Sequence, residues 1–136
     1  TPAAERAAPA AAGPPVRGWQ WPAQGQVARR FSATLHKGID IAGKRGAPVR
    51  AAAPGRVVYA GAGIAGYGEL LILRHDGRFL SAYGHNEALL VDEGARVRAG
   101  QVIARRGSSG TDRVKLHFEI RRDGRPVDPL SLLPAR

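Results

Sequence analysis

The chain has 136 residues, of which 43% are hydrophobic and 24% charged, and this length suits one globular domain rather than two. The absence of cysteine excludes disulfides, thiolate metal sites and a cysteine nucleophile. The formal net charge of +10 favours contact with polyanions such as nucleic acid, acidic lipid or a carboxylate-rich cell-wall polymer, the alternative being a solvated basic surface. Because only 6% of residues are aromatic and no aromatic–basic motif occurs, nucleic acid is not a predicted partner.

Residues 1–17 are rich in Ala and Pro and lack hydrophobic periodicity, which predicts a flexible, extended linker. The globular domain is predicted to cover 18–136. The sequence starts with neither a basic segment nor an apolar run of the kind that signal peptides have. We therefore interpret it as a fragment of a longer protein.

Short apolar runs separated by Gly, Pro, Asn and Asp follow from Gly18, and they predict an all-β barrel or sandwich. Trp19 and Trp21 share one parity and predict an initial strand. Glu87 to Leu90 is long enough for a single helical turn. Asp76-Gly77 and Asp123-Gly124 have the composition of hairpin turns. The other predicted strands are 47–52, 55–60, 69–75, 78–85, 95–106, 114–122 and 126–130.

Two of these runs, A-P-G-R-V-V-Y-A-G and D-E-G-A-R-V-R-A-G-Q-V-I-A, resemble the paired half-motifs of barrel-sandwich hybrid folds. Carrier domains of that fold present a modifiable lysine at a hairpin tip. No lysine of this chain lies in such a turn, so a carrier function is not predicted.

The run L-H-K-G-I-D-I places His36 and Asp40 four residues apart around Gly38. On a straight strand the two side chains would lie about 13 Å apart, too far for one metal ion. Gly38 allows the chain to bend so that they converge. Taken alone, the spacing is a weak signal for a metal pair, and a solvated loop is its more common meaning.

Two further histidines lie at the ends of apolar runs. His85 ends S-A-Y-G-H and shares the parity of Tyr83; by itself it is also compatible with a strand end facing water. His75 lies in the predicted Asp76-Gly77 turn and is expected to serve that turn only.

Residues 114–120 alternate strictly, which predicts a strand with one apolar face and one polar face. The polar face carries Lys115, His117 and Glu119. With His117 the chain offers two imidazoles and one carboxylate, a set that suits catalytic zinc with an open fourth position. A further histidine near such a site can orient water or stabilise charge on an attacked carbonyl.

The ordered elements H-x-G-x-D, Y-x-H and L-H-F-E on an all-β chain resemble the LytM/lysostaphin family of zinc endopeptidases, which cleave peptide cross-links of bacterial cell wall. The resemblance covers residues 18–135. It implies a LytM-type barrel-sandwich domain that holds one Zn²⁺ through His36, Asp40 and His117, with His85 as the catalytic histidine.

The family's last element is H-x-H, and its first position here is Lys115. A lysine is protonated at neutral pH, offers no lone pair and repels Zn²⁺. Loss of one such positioned group typically lowers the rate about 10²–10³-fold. The resemblance therefore implies a catalytically degenerate site at His85 and Lys115.

A basic residue before L-H-F-E-I, together with G-W-x-W-P, K-G-I-D-I-A-G and G-R-V-V-Y-A-G, is similar to the NlpD-like branch of the family. This resemblance implies a periplasmic, outer-membrane lipoprotein that meets the membrane only through a lipid anchor outside this fragment. Its implied partners are peptidoglycan and an N-acetylmuramoyl-L-alanine amidase, which it activates during septal wall splitting and daughter-cell separation. An active or slow zinc endopeptidase and a pure wall-binding module are the alternatives.

Overall fold

A computed structural model describes residues 16–136, and within them the protein is all-β, as the sequence predicted. Nearly all of the predicted linker lies outside these described residues. Ten strands are present in that range, followed by one turn of 3-10 helix at Pro129–Ser131. The strands are β1 (Val27–Arg29), β2 (Ile39–Ala42), β3 (Pro48–Arg50), β4 (Gly55–Gly61), β5 (Glu69–Arg74), β6 (Phe79–Leu89), β7 (Arg96–Val97), β8 (Val102–Arg106), β9 (Lys115–Arg122) and β10 (Arg125–Val127).

The ten strands form one sheet whose main path runs β1-β2-β9-β6-β5-β4-β7. Every strand pair is antiparallel, β10 extends β9, and β8 pairs with both β3 and β6. Strand β6 is the longest element and changes its partner along its length. Residues 79–84 pair with β9, whereas residues 86–89 pair with β8. The change of partner closes the sheet around a single hydrophobic core.

Strand β9 confirms the strict alternation seen in the sequence. Leu116, Phe118 and Ile120 are completely buried in the core. His117 and Glu119, on the opposite face, are also buried, with 7% and 1% exposure. Most of the polar face of β9 is therefore covered by other protein groups.

The turn at Asp123 and Gly124 follows local sequence rules. Both residues have positive φ, 52° and 81° respectively, which is the conformation of a type I′ hairpin turn. The turn connects β9 directly to β10.

Three sequence-based assignments were wrong. The initial strand at Trp19 and Trp21 is absent, because these side chains instead pack on Phe79 and hydrogen-bond to Pro134 O. The helical turn at 87–90 is the end of β6, whose pairing with β8 overrides local propensity. The run 95–106 is two strands, since a turn around Gly100, with φ of 81°, divides it.

The structure also adds β1 and β2, which no strand-like run had indicated. Strand β2 is short, and its buried Ile39 and Ile41 flank the acidic Asp40. No helix among residues 16–136 has the length and hydropathy needed to cross a membrane.

Candidate metal centre and its cavity

Three side chains predicted as zinc ligands come together where β2 pairs with β9. Asp40 on β2 lies directly opposite His117 on β9, and its Oδ1 is 2.7 Å from His117 Nδ1. The same oxygen is 3.1 Å from His36 Nε2. One donor atom from each residue lies within 4.8 Å of the others. The geometry therefore presents two imidazole nitrogens and a carboxylate oxygen toward one point.

Gly38 brings His36 to this point by a close approach of two backbones. A Cβ atom at position 38 would overlap Phe118 O and lie 2.8 Å from Glu119 Cγ. Only glycine fits at position 38, where the chain just before β2 passes close to β9. His36 and Asp40 converge as Gly38 allowed. The structural need for glycine here is the close contact of its backbone with β9.

The second carboxylate oxygen of Asp40 is held by Lys115. Lys115 Nζ donates to Asp40 Oδ2 at 2.9 Å, and the lysine side chain is 17% exposed. Burial alone would raise the pKa of Asp40, but hydrogen bonds from His117 and Lys115 outweigh it and hold the pKa well below its usual range. Asp40 is thus a carboxylate, and Lys115 directs its ammonium at this carboxylate rather than at open space in the cavity.

His117 is held on its other side by Glu119. His117 Nε2 donates to Glu119 Oε2 at 2.7 Å, and Tyr67 donates its hydroxyl proton to the same oxygen at 2.7 Å. Arg121 binds the remaining oxygen at 2.9 Å. Burial opposes a charge on His117, but its bonds to Asp40 and Glu119 prevail and raise its pKa. Glu119 fixes the ring orientation, as carboxylates behind metal-ligating histidines do.

His85 lies at the corner where β6 passes from β9 to β8. Its φ of 65° is left-handed, which is uncommon for a non-glycine residue and marks an over-determined position. His85 Nδ1 donates to Ser109 O at 2.7 Å. Burial lowers the pKa of this ring, so the neutral form with an unprotonated Nε2 is favoured. The ring centroids of His85 and His117 are 6.1 Å apart.

The left-handed conformation of His85 also explains why Tyr83 and His85 lie on opposite faces of the sheet. Tyr83 and His85 share sequence parity, yet Tyr83 is completely buried in the core. Its hydroxyl accepts from Ala52 N at 2.9 Å. Parity fails here because the positive φ at His85 turns that side chain toward the opposite face.

These residues surround an open cavity of about 390 Å³. Tyr67 and Arg29 were not recognised as cavity residues from the sequence. The signal for Tyr67 was weak, a lone aromatic residue between Gly66 and Gly68. The cavity is lined by Arg29, Leu35, His36, Lys37, Asp40, Gly66, Tyr67, His85, Gly110, Thr111, Lys115, His117 and Glu119.

His75 is not one of the residues that line this cavity. It lies in the β5–β6 turn as expected, but its side chain is only 3% exposed. Nδ1 hydrogen-bonds to Pro54 O at 2.7 Å and Nε2 to Ser81 Oγ at 2.6 Å. Trp19 packs edge-on against the ring. The residue therefore ties two turns to strand β6.

The donors of the central cluster fit zinc. Two imidazole nitrogens and one carboxylate oxygen, with the cavity open beside them, form the ligand set of catalytic zinc sites. The Lys115 ammonium, which contacts the carboxylate directly, opposes a cation at Asp40.

Comparison with known proteins identifies a protein family and several relatives that the chain matches. The profile of Peptidase family M23 matches residues 34–129. A "Lipoprotein NlpD/LppB homolog" of Pseudomonas aeruginosa is 61% identical over 132 residues, which are 96% of this chain and 44% of that protein. The "Murein hydrolase activator NlpD" of Escherichia coli is 51% identical over 124 residues, or 90% of this chain and 33% of that protein. The chain thus spans less than half of either relative.

Solved structures agree with the observed fold. A zinc containing peptidase from Vibrio cholerae superposes with a TM-score of 0.81 at 29% identity, covering 88% of this chain and 41% of that chain. The catalytic domain of lysostaphin from Staphylococcus simulans gives a TM-score of 0.67 at 28% identity, covering 80% of this chain and 86% of that chain. The LytM-type architecture expected from the sequence is confirmed.

Proposed function

Because this chain belongs to peptidase family M23, we propose that it is a catalytically degenerate member that activates a cell-wall N-acetylmuramoyl-L-alanine amidase. The amidase would split septal peptidoglycan as daughter cells separate. The name "murein hydrolase activator" of a relative that is 51% identical supports this assignment. Since the chain covers a third of that relative, the activity of the whole protein is part of the proposal.

The ion pair between Lys115 and Asp40 carries the proposal. In the resembling peptidases the first position of the H-x-H element is a histidine that assists catalysis. Lys115 cannot accept a proton there while it is charged and held 2.9 Å from Asp40 Oδ2. The ion pair instead stabilises the buried Asp40 carboxylate without a metal. The site keeps its architecture but lacks a group that hydrolysis needs.

Zinc, if present, would be held by His36, Asp40 and His117, one ion per chain. Bound zinc acts as a Lewis acid on carbonyl oxygens and activates water. Glu119 would orient His117 with or without zinc, because it accepts a hydrogen bond from Nε2, the ring nitrogen that does not face Asp40. His85 would offer its unprotonated Nε2 to the cavity.

The direct test is a dye-release assay with a purified amidase and dye-labelled wall. We expect the chain to raise the release rate of the amidase and to release nothing alone. His85→Ala should stimulate as well as the unmodified chain, since activation would not need hydrolysis by this domain. A folded His85→Ala variant that stimulates nothing would overturn the regulatory assignment.

A working zinc endopeptidase is the second candidate, and the complete ligand cluster beside an open cavity favours it. A zymogram on purified peptidoglycan separates the two functions. Clearing by the chain alone, abolished by His36→Ala and by a chelator, would support the peptidase. A pure wall-binding module would bind sacculi yet leave the amidase unaffected.

The proposed location is the periplasm, with attachment to the outer membrane through a lipid anchor in a region outside this chain. Relatives named as lipoproteins support this placement. Membrane fractionation of cells that produce the whole protein tests it. The protein should leave the outer-membrane fraction when the anchoring residue of the whole protein is replaced.

A further inference from the structure

The sheet face that carries the metal cluster also carries several arginines farther along the strands. On β9, His117, Glu119 and Arg121 point to this face, and Leu80 on β6 lies directly opposite Arg121. Leu80 in turn lies opposite Arg74 on β5. Without a bulge between these paired residues, Arg74 shares the face of the cluster.

Three arginines on neighbouring strands lie side by side on this face. Arg74 lies opposite Arg56 on β4, and Arg56 lies opposite Arg96 on β7. We call Arg56, Arg74 and Arg96 the arginine row. Adjacent strands are about 4.8 Å apart, so the row spans about 10 Å.

The arginine row has no acidic partner within the described part of the chain. Ion pairs in residues 16–136 draw their Arg and Lys partners from elsewhere, namely Arg45, Arg78, Arg113, Lys115 and Arg121. Arg74 is half-buried, and its Nε is a buried donor that meets no acceptor among these residues. The guanidinium groups of the row are therefore available to the acidic groups of an external ligand.

The arrangement is unfavourable in the absence of a ligand. Like charges directly opposite each other on adjacent strands destabilise a sheet, and a buried donor of a charged group without an acceptor adds to the cost. Bound carboxylates offset the repulsion between the arginines, and a guanidinium fork matches the two oxygens of a carboxylate.

The surroundings of the row fit a hydrated polymer better than a folded protein. Stable protein interfaces have an apolar centre. The exposed large hydrophobic residues of the described chain, Leu35, Ile64 and Leu90, all lie outside the row. A flexible, carboxylate-bearing peptide chain needs no such centre.

We propose that the arginine row is a carboxylate-binding subsite for the peptide part of the cell-wall polymer. Arg121 lies four residues along β9 from His117, about 13 Å, and the row lies a further two to four strands, about 10–19 Å, across the sheet. Its arginines are therefore roughly 16–23 Å from His117, which an extended peptide of about five to seven residues covers. One wall peptide can thus lie with its carboxylates on the arginine row and its chain directed toward the cavity. The inference rests on the proposed function only in taking the wall as the polymer.

The test compares two triple variants in sedimentation with purified sacculi. The row variant carries Arg56→Gln, Arg74→Gln and Arg96→Gln. The control variant carries Arg30→Gln, Arg122→Gln and Arg125→Gln, three exposed arginines that lie outside the row. Both variants lower the net charge by the same amount, and thermal unfolding checks that both are folded.

We expect the row variant to bind sacculi roughly tenfold more weakly than the unmodified chain, and the control variant within about twofold of it. Amidation of the wall carboxyls should weaken sacculus binding by the unmodified chain as much as the three row substitutions do. Equal losses in both variants would assign the effect to net charge and overturn the proposal. Unchanged binding of the row variant would overturn it as well.

Stimulation of the amidase, measured in parallel, separates this inference from the proposed function. Row-dependent binding to sacculi by a chain that stimulates no amidase would support the subsite and refute the activator function. A row variant that binds sacculi normally but stimulates no amidase would place a protein on the row and overturn the subsite.

Discussion

At the scale of single residues, Asp40 determines what the centre can do. One oxygen faces His36 and His117, and the other is held by Lys115. A cation at the cluster must share this carboxylate with the ammonium. We therefore expect Lys115 to influence metal affinity as well as chemistry, and two substitutions at this position separate the effects.

Lys115→Met should tighten zinc binding roughly tenfold, because the competing charge on Asp40 Oδ2 is removed while the length of the side chain is kept. Competition with a chromophoric chelator measures the affinity. Lys37→Met is the matched control, since Lys37 also lines the cavity but is exposed. Equal affinities for the unmodified chain and Lys115→Met would show that the ion pair does not limit metal binding.

Lys115→His should raise cleavage of wall peptides from undetectable to measurable, because a neutral imidazole can accept a proton where an ammonium cannot. Mass spectrometry of digested wall, with and without added zinc, measures the products. Adding His85→Ala to this variant should abolish the gain. Strong cleavage by the unmodified chain would refute the degenerate-site interpretation.

At the scale of secondary structure, the centre depends on how closely β2 approaches β9. Asp40 and His117 are cross-strand partners, so their distance is fixed by the sheet itself. His36 lies before β2, and its position depends on Gly38, which packs against Phe118 O. The strand pair is therefore the element that assembles the ligand set.

Gly38→Ala should destabilise the protein by about 1–3 kcal/mol, the typical cost of overpacking, and should weaken zinc binding because His36 is displaced. Urea unfolding and the chelator assay measure the two effects. Gly77→Ala is the control, because a Cβ there meets nothing within 4 Å. If both variants unfold at the same urea concentration, the close approach at Gly38 is not a constraint.

At the scale of the whole molecule, buried histidines make stability depend on pH. His75 joins the turn at Pro54 to Ser81 on β6, and burial lowers its pKa to about 4. In the unfolded chain the ordinary value is about 6.5. The folded state thus favours the neutral ring, and this stability is complete above pH 6.5 and lost as the pH falls toward 4.

The loss between pH 6.5 and 4 should be on the order of 3 kcal/mol for His75 alone. Urea unfolding at pH 7.0 and 4.5 measures the slope. His75→Gln retains a hydrogen-bonding side chain but does not titrate, so its stability should fall less over the same interval. Parallel slopes for both proteins would exclude His75 as the source of the pH dependence.

Much of the fold followed from local rules, whereas the candidate ligand set was implied by the resemblance of three ordered sequence elements to a known family. The parity of residues 114–120 predicted both faces of β9, and Asp123-Gly124 predicted the turn after it. The glycine of H-x-G-x-D allowed His36 and Asp40 to converge, although the spacing alone was only a weak signal. These features depend on residues near one another in sequence, where side-chain period and turn chemistry are sufficient.

Long-range contacts decided the rest. Only the tertiary structure paired Lys115 with Asp40, which is 75 residues away, and only the change of partner along β6 turned His85 away from the side of Tyr83. The arginine row likewise exists only because three separate strands meet in one register. The sequence by itself determined the all-β fold and the strand faces, because periodicity and turns act locally, and its resemblance to a known family implied the candidate ligands. Their mutual partners depend on register and strand order, which arise when distant segments pack together.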